Sequence, residues 1–305
     1  MTPQNDLIID GDQTVTITAA ATGFNDAVET VTVTDAQAAG IIITETGGST
    51  TVNEDGVVPD TFTVELTGPP NTVVVVSLTS NDPDEVIIDP LQPPLIFTSA
   101  TWNVPQTVTV FGVDDDLFDG DQITPVMVSI DDANSDDIFD NVPDQTVQVT
   151  TVDADTINIT VTETGPLPTT EGGGTATFDV VLSTEPTADV QIAVSSDDLT
   201  EGTVSPSSLR FTALDWDTPQ TVTVTGVDDA IIDGTQAYNI VLDPALSADA
   251  DYDGFDPTDV LMENSDDDTA GFLITESGGN TEVTEGGATD NFTVELLTQP
   301  ASDVV

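Results

Sequence analysis

The residues able to do chemistry in this 305-residue sequence are carboxylates, and they come in clusters. One cluster is Asp114, Asp115, Asp116 and Asp119; another is Asp228, Asp229 and Asp233. Asp153 with Asp155, and Asp266 with Asp267 and Asp268, form a second kind. Glu54 and Glu171 stand close before glycines, Gly56 and Gly172. Like charges packed this closely repel and raise one another's pKa, so the clusters call for a counter-charge. Ca²⁺ suits them: it takes 6–8 oxygen ligands with tolerant geometry. Zinc, copper and iron sites usually use His or Cys, and the sequence has neither. Mg²⁺ stays open as an alternative, although it dehydrates reluctantly and prefers few protein ligands.

The charge balance narrows the partners. A single cation, Arg210, faces 57 acids, for a formal net charge of −56. Nucleic-acid affinity comes largely from Lys and Arg neutralising phosphates, so nucleic acid is excluded as a partner. Anionic membrane surfaces are disfavoured for the same reason. Nucleophilic catalysis usually needs a His or Lys base, and neither residue occurs. A carboxylate pair could hydrolyse glycosides, but these acids recur from unit to unit, which a catalytic site seldom does. The expectation is a protein that is not an enzyme. No stretch is apolar and long enough to span a bilayer, and MTPQNDLIID lacks the basic and apolar regions of a secretory leader.

The clusters are positioned by internal repeats. WNVPQTVTVFGVDDD at Trp102–Asp116 returns as WDTPQTVTVTGVDDA at Trp216–Ala230, an offset of 114 residues. DGDQ at Asp10–Gln13 and at Asp119–Gln122 returns as DGTQ at Asp233–Gln236. An Ile/Val-Thr-Glu triplet ends at Glu45, Glu163 and Glu276, each time ten residues after an Asp: Asp35, Asp153 and Asp266. These registers predict four segments: 1–38, the tail of a repeat; 39–155 and 156–268, two complete repeats; and 269–305, the start of another. The complete unit has the length of an independent domain.

Within a unit, apolar and polar residues alternate. Phe178, Val180 and Leu182 form one run, Val190, Ile192 and Val194 another, then Val222 with Val224, and Tyr238, Ile240 and Leu242. With segments near Ile157–Val161, Leu209–Phe211 and Val260–Met262 these make about seven strands. Turn residues separate them, and no helical period persists. The fold class expected is all-β: tandem immunoglobulin-like antiparallel β-sandwich repeats. Thr, Ser and Gln take most outward strand positions, leaving many acids in loops. A salt-adapted acidic surface would instead scatter acids over strand faces.

The sequence resembles the Calx-β family, and more closely the Calx-β-like tandem repeats of large bacterial surface proteins. DDDTAGFLITE at Asp266–Glu276 looks like the family's Asp-rich exit into the next repeat. VDDDLFDGDQ at Val113–Gln122 looks like its Asp-rich loop between two late strands, and VNEDG at Val52–Gly56 like its early Glu. The resemblance implies that these segments meet at one end of the sandwich and hold Ca²⁺. It implies Glu54, Asp114, Asp115, Asp119, Asp153 and Asp155 as ligands in the first complete repeat. In the second it implies Glu171, Asp228, Asp229, Asp233, Asp266, Asp267 and Asp268. Gln122 and Gln236 depart from the pattern, standing where the family tends to have an acid; Ala154 and Ala230 interrupt Asp runs. In the N-terminal partial repeat Asn5, Leu7, Ala36 and Gln37 occupy the matching positions, leaving Asp6, Asp10 and Asp35.

The function this implies is a calcium-stiffened structural or adhesive array, secreted or at the cell surface, whose partners are calcium ions and neighbouring repeats. Two other readings remain open: a module binding glycans or surface proteins with calcium secondary, and an acidic spacer without a specific ion. A further acidic loop, Asp249, Asp251, Asp253 and Gly254, matches the opening of an EF-hand but has Val260 where the bidentate Glu belongs. Trp102 and Trp216 are expected to pack rather than to stack on a ligand.

Overall fold

The structure, a computed structural model, describes residues 2, 8–165 and 168–305. It divides into two compact units, Met1–Ala154 and Asp155–Val305. Both are built from sheets that are antiparallel except for one parallel pairing in each unit, and all-β architecture is what the alternation predicts.

In the first unit one sheet orders its strands as Ile41–Glu45, Asp60–Leu66, Gln106–Gly112 and Val86–Ile88. The second sheet runs Thr50–Asn53, Gln145–Val152, Gln122–Ile130, Val74–Ser80 and Leu95–Phe97. The chain changes sheets between Glu45 and Thr50. Gly47 and Gly48 make the turn at φ of 76° and 90°, values that favour glycine. The crossing leaves Thr50–Asn53 parallel to Gln145–Val152, with Thr51 opposite Thr150 and Asn53 opposite Val152. Glu54 therefore emerges beside the end of the last strand. The same unit contains the hairpin Gln13–Ala19 with Ala27–Val33.

The second unit repeats the plan. One sheet is Ile159–Glu163, Thr175–Leu182, Gln220–Gly226 and Gly202–Ser205. The other is Thr169–Thr170, Val260–Ser265, Gln236–Leu242, Val190–Ser196 and Ser208–Phe211, with Leu246–Ser247 also pairing Val190–Ser196. A further hairpin, Phe272–Glu276 with Phe292–Leu296, follows.

The side-chain alternation puts one face of each strand inside. Thr175–Leu182 buries Ala176, Phe178, Val180 and Leu182 while its intervening residues stay partly wet. Phe178, Val222 and Val224 from one sheet join Ile192, Tyr238 and Ile240 from the other in a single core cluster. In the first unit Phe62, Val108 and Val110 join Val76, Val126 and Val149. Fully burying each such side chain is worth about 1.5–3 kcal/mol.

The strand expectation falls short in three places. Thr169–Thr170, Gly202–Ser205 and Leu246–Ser247 are strands, though each offers too few apolar residues to show a period. The first strand of the second repeat runs Ile159–Glu163 rather than Ile157–Val161. Asn158 just before it gives its N–H to the Ser183 hydroxyl instead of to a ladder partner. Trp102 and Trp216 lie half-buried against the two cores, and their carbonyls accept from the Leu66 and Leu182 N–H groups at 2.9 and 3.2 Å.

Candidate metal centre

The parallel pairing that carries Thr169 and Thr170 alongside Asn264 and Ser265 sets the site of the second unit. Just beyond it, the Glu171 N–H donates to the Ser265 carbonyl at 3.1 Å, which fixes Glu171 beside the exit Asp266–Asp268. Glu171, Asp266 and Asp268 bring carboxylate oxygens within 4.8 Å of one another. Glu171 is 2% exposed. Its Oε2 and the Oδ2 of Asp268 are buried without any hydrogen-bond partner among the described residues.

Asp266 is the anchored member. Its Oδ2 accepts from the Gly234 N–H and its Oδ1 from the Asp268 N–H, both at 2.8 Å. These two bonds, the Gly234 one foremost, hold its carboxyl below the ordinary range. The first also ties the loop bearing Asp228, Asp229 and Asp233 to the exit. Asp229 shapes that loop by accepting from the Ile231 N–H at 2.6 Å.

Glu171 behaves in the opposite sense. Burial pushes its carboxyl up to about 6; the Asp267 N–H opposes this, and Asp266, Asp229 and Asp233 add repulsion. Asp268 is raised by burial first, then by Asp266, Asp267, Asp228 and Asp229. Each of the other five acids expected in this repeat thus lies within electrostatic reach of Glu171 or Asp268. Asp228, Asp233 and Asp267 are exposed; Asp229, Asp266 and Asp268 are half-buried.

The first unit has the same plan. The Glu54 N–H donates to the Val152 carbonyl at 3.1 Å, and Glu54 Oε2 accepts from the Ala154 N–H at 3.1 Å. Glu54 and Asp115 bring carboxylate oxygens within 4.8 Å. Burial lifts the Glu54 carboxyl to about 7, with repulsion from Asp115 and Asp153 added. Asp153 Oδ2 accepts from the Gly120 N–H at 2.7 Å, the counterpart of the Asp266–Gly234 bond. Asp115 accepts from the Leu117 N–H, the counterpart of Asp229 and Ile231. Asp114 and Asp119 lie exposed on the loop, and Asp155, half-buried, is where the second unit begins. In the N-terminal hairpin Asp35 Oδ2 accepts from both Asp10 and Gly11 N–H groups; Asn5, Asp6 and Leu7 lie outside the described residues.

Two site acids escape the repeat landmarks. Glu85 is raised by burial, then by Asp119 and Asp115. Glu201, 8% exposed, is raised by burial and by Asp233, Asp198 and Asp229, against the pull of a bond from Asn264. A signal exists for them: Asp82 precedes Glu85, and Asp198 precedes Glu201, by three residues in both repeats. Each pair closes a turn, with the N–H of Glu85 or Glu201 donating to the Asp carbonyl at 3.4 Å.

The glutamines that depart from the resemblance are loop locks. The side-chain amides of Gln13, Gln122 and Gln236 donate to the carbonyls of Asp10, Asp119 and Asp233 at 2.7, 3.1 and 3.0 Å. In the EF-hand-like loop the first acid is engaged by backbone donors. Asp249 is buried, with Oδ2 accepting from the Thr187 N–H and Oδ1 from the Asp251 N–H. Asp136 does the same in the first unit for Thr72 and Ile138. Ile138 stands there where the second unit has Asp251, so the loop works without that acid.

Among the described residues no side-chain cation serves the acidic ends. Arg210 pairs with Asp189.

No protein-family profile matches the chain, and no curated protein matches it. Among solved structures it is similar to CBD12 from CALX1.2, at 13% identity and a TM-score of 0.30, over 73% of this chain and 98% of that one. The calcium-binding domain CBD12 of CALX1.1 is similar at 14% identity and a TM-score of 0.33, over 67% and 80%. Domains 4–9 of the surface layer protein SbsC are similar at 14% and 0.29, over 87% of this chain and 37% of that one.

Proposed function

We propose that the chain is an array of Calx-β-like calcium-binding repeats, divided as 1–38, 39–155, 156–268 and 269–305, that acts as a structural or adhesive element of a secreted or cell-surface protein. The observation that carries this is the pair of buried carboxylate oxygens, Glu171 Oε2 and Asp268 Oδ2, that no donor among the described residues reaches. A buried polar atom without a partner costs free energy, more so when charged. A hard divalent cation supplies the missing partner and cancels the repulsion. With oxygen donors only, the set fits Ca²⁺.

In the second complete repeat Glu171, Asp228, Asp229, Asp233, Asp266, Asp267 and Asp268 would hold the ion or ions, with Glu201 beside them. In the first, Glu54, Asp114, Asp115, Asp119, Asp153 and Asp155 would do so, with Glu85. Bound calcium supplies positive charge to groups that otherwise repel. The chain's own part is to deliver carboxylates from three distant segments to one end of the sandwich.

The stiffening role draws support from the segment after the second complete repeat. Asp266–Asp268 lead within four residues into the strand Phe272–Glu276. Ile231 and Ile232, from the acidic loop, face Phe272, Leu296 and Pro300 across an apolar cavity of about 530 Å³. The Gln299 N–H donates to the Ala230 carbonyl at 2.7 Å. A cation that orders this loop therefore orders what the loop touches.

Melting the chain in calcium and in chelator tests the proposal. Binding to the folded state alone adds about 2.7 kcal/mol per site at 100 times Kd. A higher melting temperature in calcium is expected; equal temperatures would contradict the reading.

A further inference from the structure

Among the described residues, the second unit contains a buried polar network that the first lacks. Asn264 is fully buried. Its side-chain amide donates to the Glu201 carboxylate at 3.3 Å and to the Val227 carbonyl at 3.0 Å. Its Oδ1 lies 3.1 Å from the Thr169 hydroxyl, which in turn lies 3.1 Å from the Tyr238 phenol. Gly202 makes room for the ring: a Cβ there would sit 2.4 Å from the Tyr238 side chain. Gly226, like Gly112 in the first unit, is required by backbone, since a Cβ there would sit 2.3 Å from the Thr170 carbonyl.

Strand registers give the counterparts in the first unit. Gly202 pairs with Gly226 as Val86 pairs with Gly112. Gln236 pairs with Asn264 as Gln122 pairs with Thr151. Asn264 pairs with Thr169 as Thr151 pairs with Val52. Tyr238 follows Gln236 by two residues, as Thr124 follows Gln122. The set Gly202, Tyr238, Asn264 and Thr169 is thus replaced by Val86, Thr124, Thr151 and Val52. Volume is exchanged between strands, Val for Gly against Thr for Tyr, so both interiors stay filled. Polarity is not preserved: Val52 has no hydroxyl, and Thr151 Oγ1 is buried without a hydrogen-bond partner among the described residues.

The network ends at the acidic loop. Asn264 precedes Asp266 by two residues, and Val227, whose carbonyl it holds, directly precedes Asp228 and Asp229. The Val227 N–H also donates to the Glu201 carbonyl at 3.0 Å, a bond that the Val113 N–H and the Glu85 carbonyl make at the same distance in the first unit. Glu201 is buried, while Glu85, its counterpart, is half-buried.

We infer that Asn264 is a positioning residue: it holds the Glu201 carboxylate at the acidic end of its repeat, so that the two complete repeats take a divalent cation with unequal affinity, the second more tightly. This rests on the calcium-binding reading above. A ligand group fixed before the ion arrives loses less conformational freedom on binding. Groups that orient metal ligands typically change metal affinity by about 10–100-fold when replaced.

The test is a calorimetric calcium titration of the whole chain carrying Glu54→Gln and Asp115→Asn, which silence the first repeat. Asn264→Thr installs the first repeat's residue and is expected to weaken the remaining binding by about 10–100-fold. Glu201→Gln is expected to weaken it similarly. In the Glu201→Gln background Asn264→Thr should add less than about twofold, because it acts through Glu201. A purely structural Asn264 would give additive losses. Circular dichroism checks that the sheets survive. If Asn264→Thr does not fold, Thr169→Val, again the first repeat's residue, removes the Oδ1 contact and should weaken binding several-fold. Unchanged affinity, or additive losses in the double variant, overturns the inference while leaving calcium binding intact. A starting chain that takes up no calcium overturns the calcium reading itself, and the inference with it.

Discussion

Glu171 and Asp268 each bury a carboxylate oxygen that no donor among the described residues reaches, and the two side chains bring carboxylate oxygens within 4.8 Å of each other. They come from segments almost a hundred residues apart in sequence. Two ionised carboxylates this close, with little water around them, oppose the fold that brings them together.

Stability without calcium should therefore fall as pH rises above mildly acid values. The Glu54 and Glu171 carboxyls titrate at about 7 and about 6 in the folded chain, against an ordinary 4.5. Between those values the folded chain binds more protons than the unfolded one, so unfolding becomes easier with rising pH. Asp266, held below 3.8, works the other way: its contribution is present above pH 3.8 and lost as pH falls through its lowered value. Melting in chelator is expected to be highest near pH 4–5 and lower at pH 7.5, a trend set by the raised Glu54 and Glu171 carboxyls. A flat profile across that range would count against burial of these glutamates.

Calcium should reverse the trend. The ion needs ionised ligands, so its apparent affinity drops as pH falls through about 7 and about 6, and binding there releases protons. Titrations in buffers of different ionisation enthalpy would show the released protons as a buffer-dependent heat.

Glu171→Gln should have effects of opposite sign in the two states. It removes a buried charge, so the calcium-free chain should melt higher, by about 2–4 °C. It also removes a ligand, so the gain from calcium should shrink. A variant less stable in chelator than the parent would contradict the repulsion argument.

Asp249→Ala separates structural from ion-binding acids. Its carboxylate is used up by the Thr187 and Asp251 N–H groups. Leaving such groups without a partner costs about 1–3 kcal/mol. Denaturant unfolding should show that loss, and the calcium titration should be unchanged in affinity and stoichiometry.

The fold class was legible because Phe178, Val180 and Leu182, or Val222 and Val224, carry the period of two that a half-buried strand requires. Gly202–Ser205 was not, because its Gly202 is selected by the Tyr238 ring packed against it, a long-range contact with no local period. The recurring loop acids were visible as repeats. Glu85 and Glu201 were hidden because each stands singly in a turn, and only the fold shows that the turn reaches the acidic end. Gln122 and Gln236 look like lost ligands in sequence, whereas their amides hold the loop carbonyls of Asp119 and Asp233.

For a divalent ion to be held, carboxylates far apart in the chain must meet around it. A calorimetric calcium titration of the whole chain in NaCl on the order of 0.5 M, where diffuse attraction is screened, reads this out. Saturable binding of at least one ion in each complete repeat is expected, with Kd on the order of 10⁻⁴–10⁻³ M. Heat that vanishes with added salt, or never saturates, would contradict it.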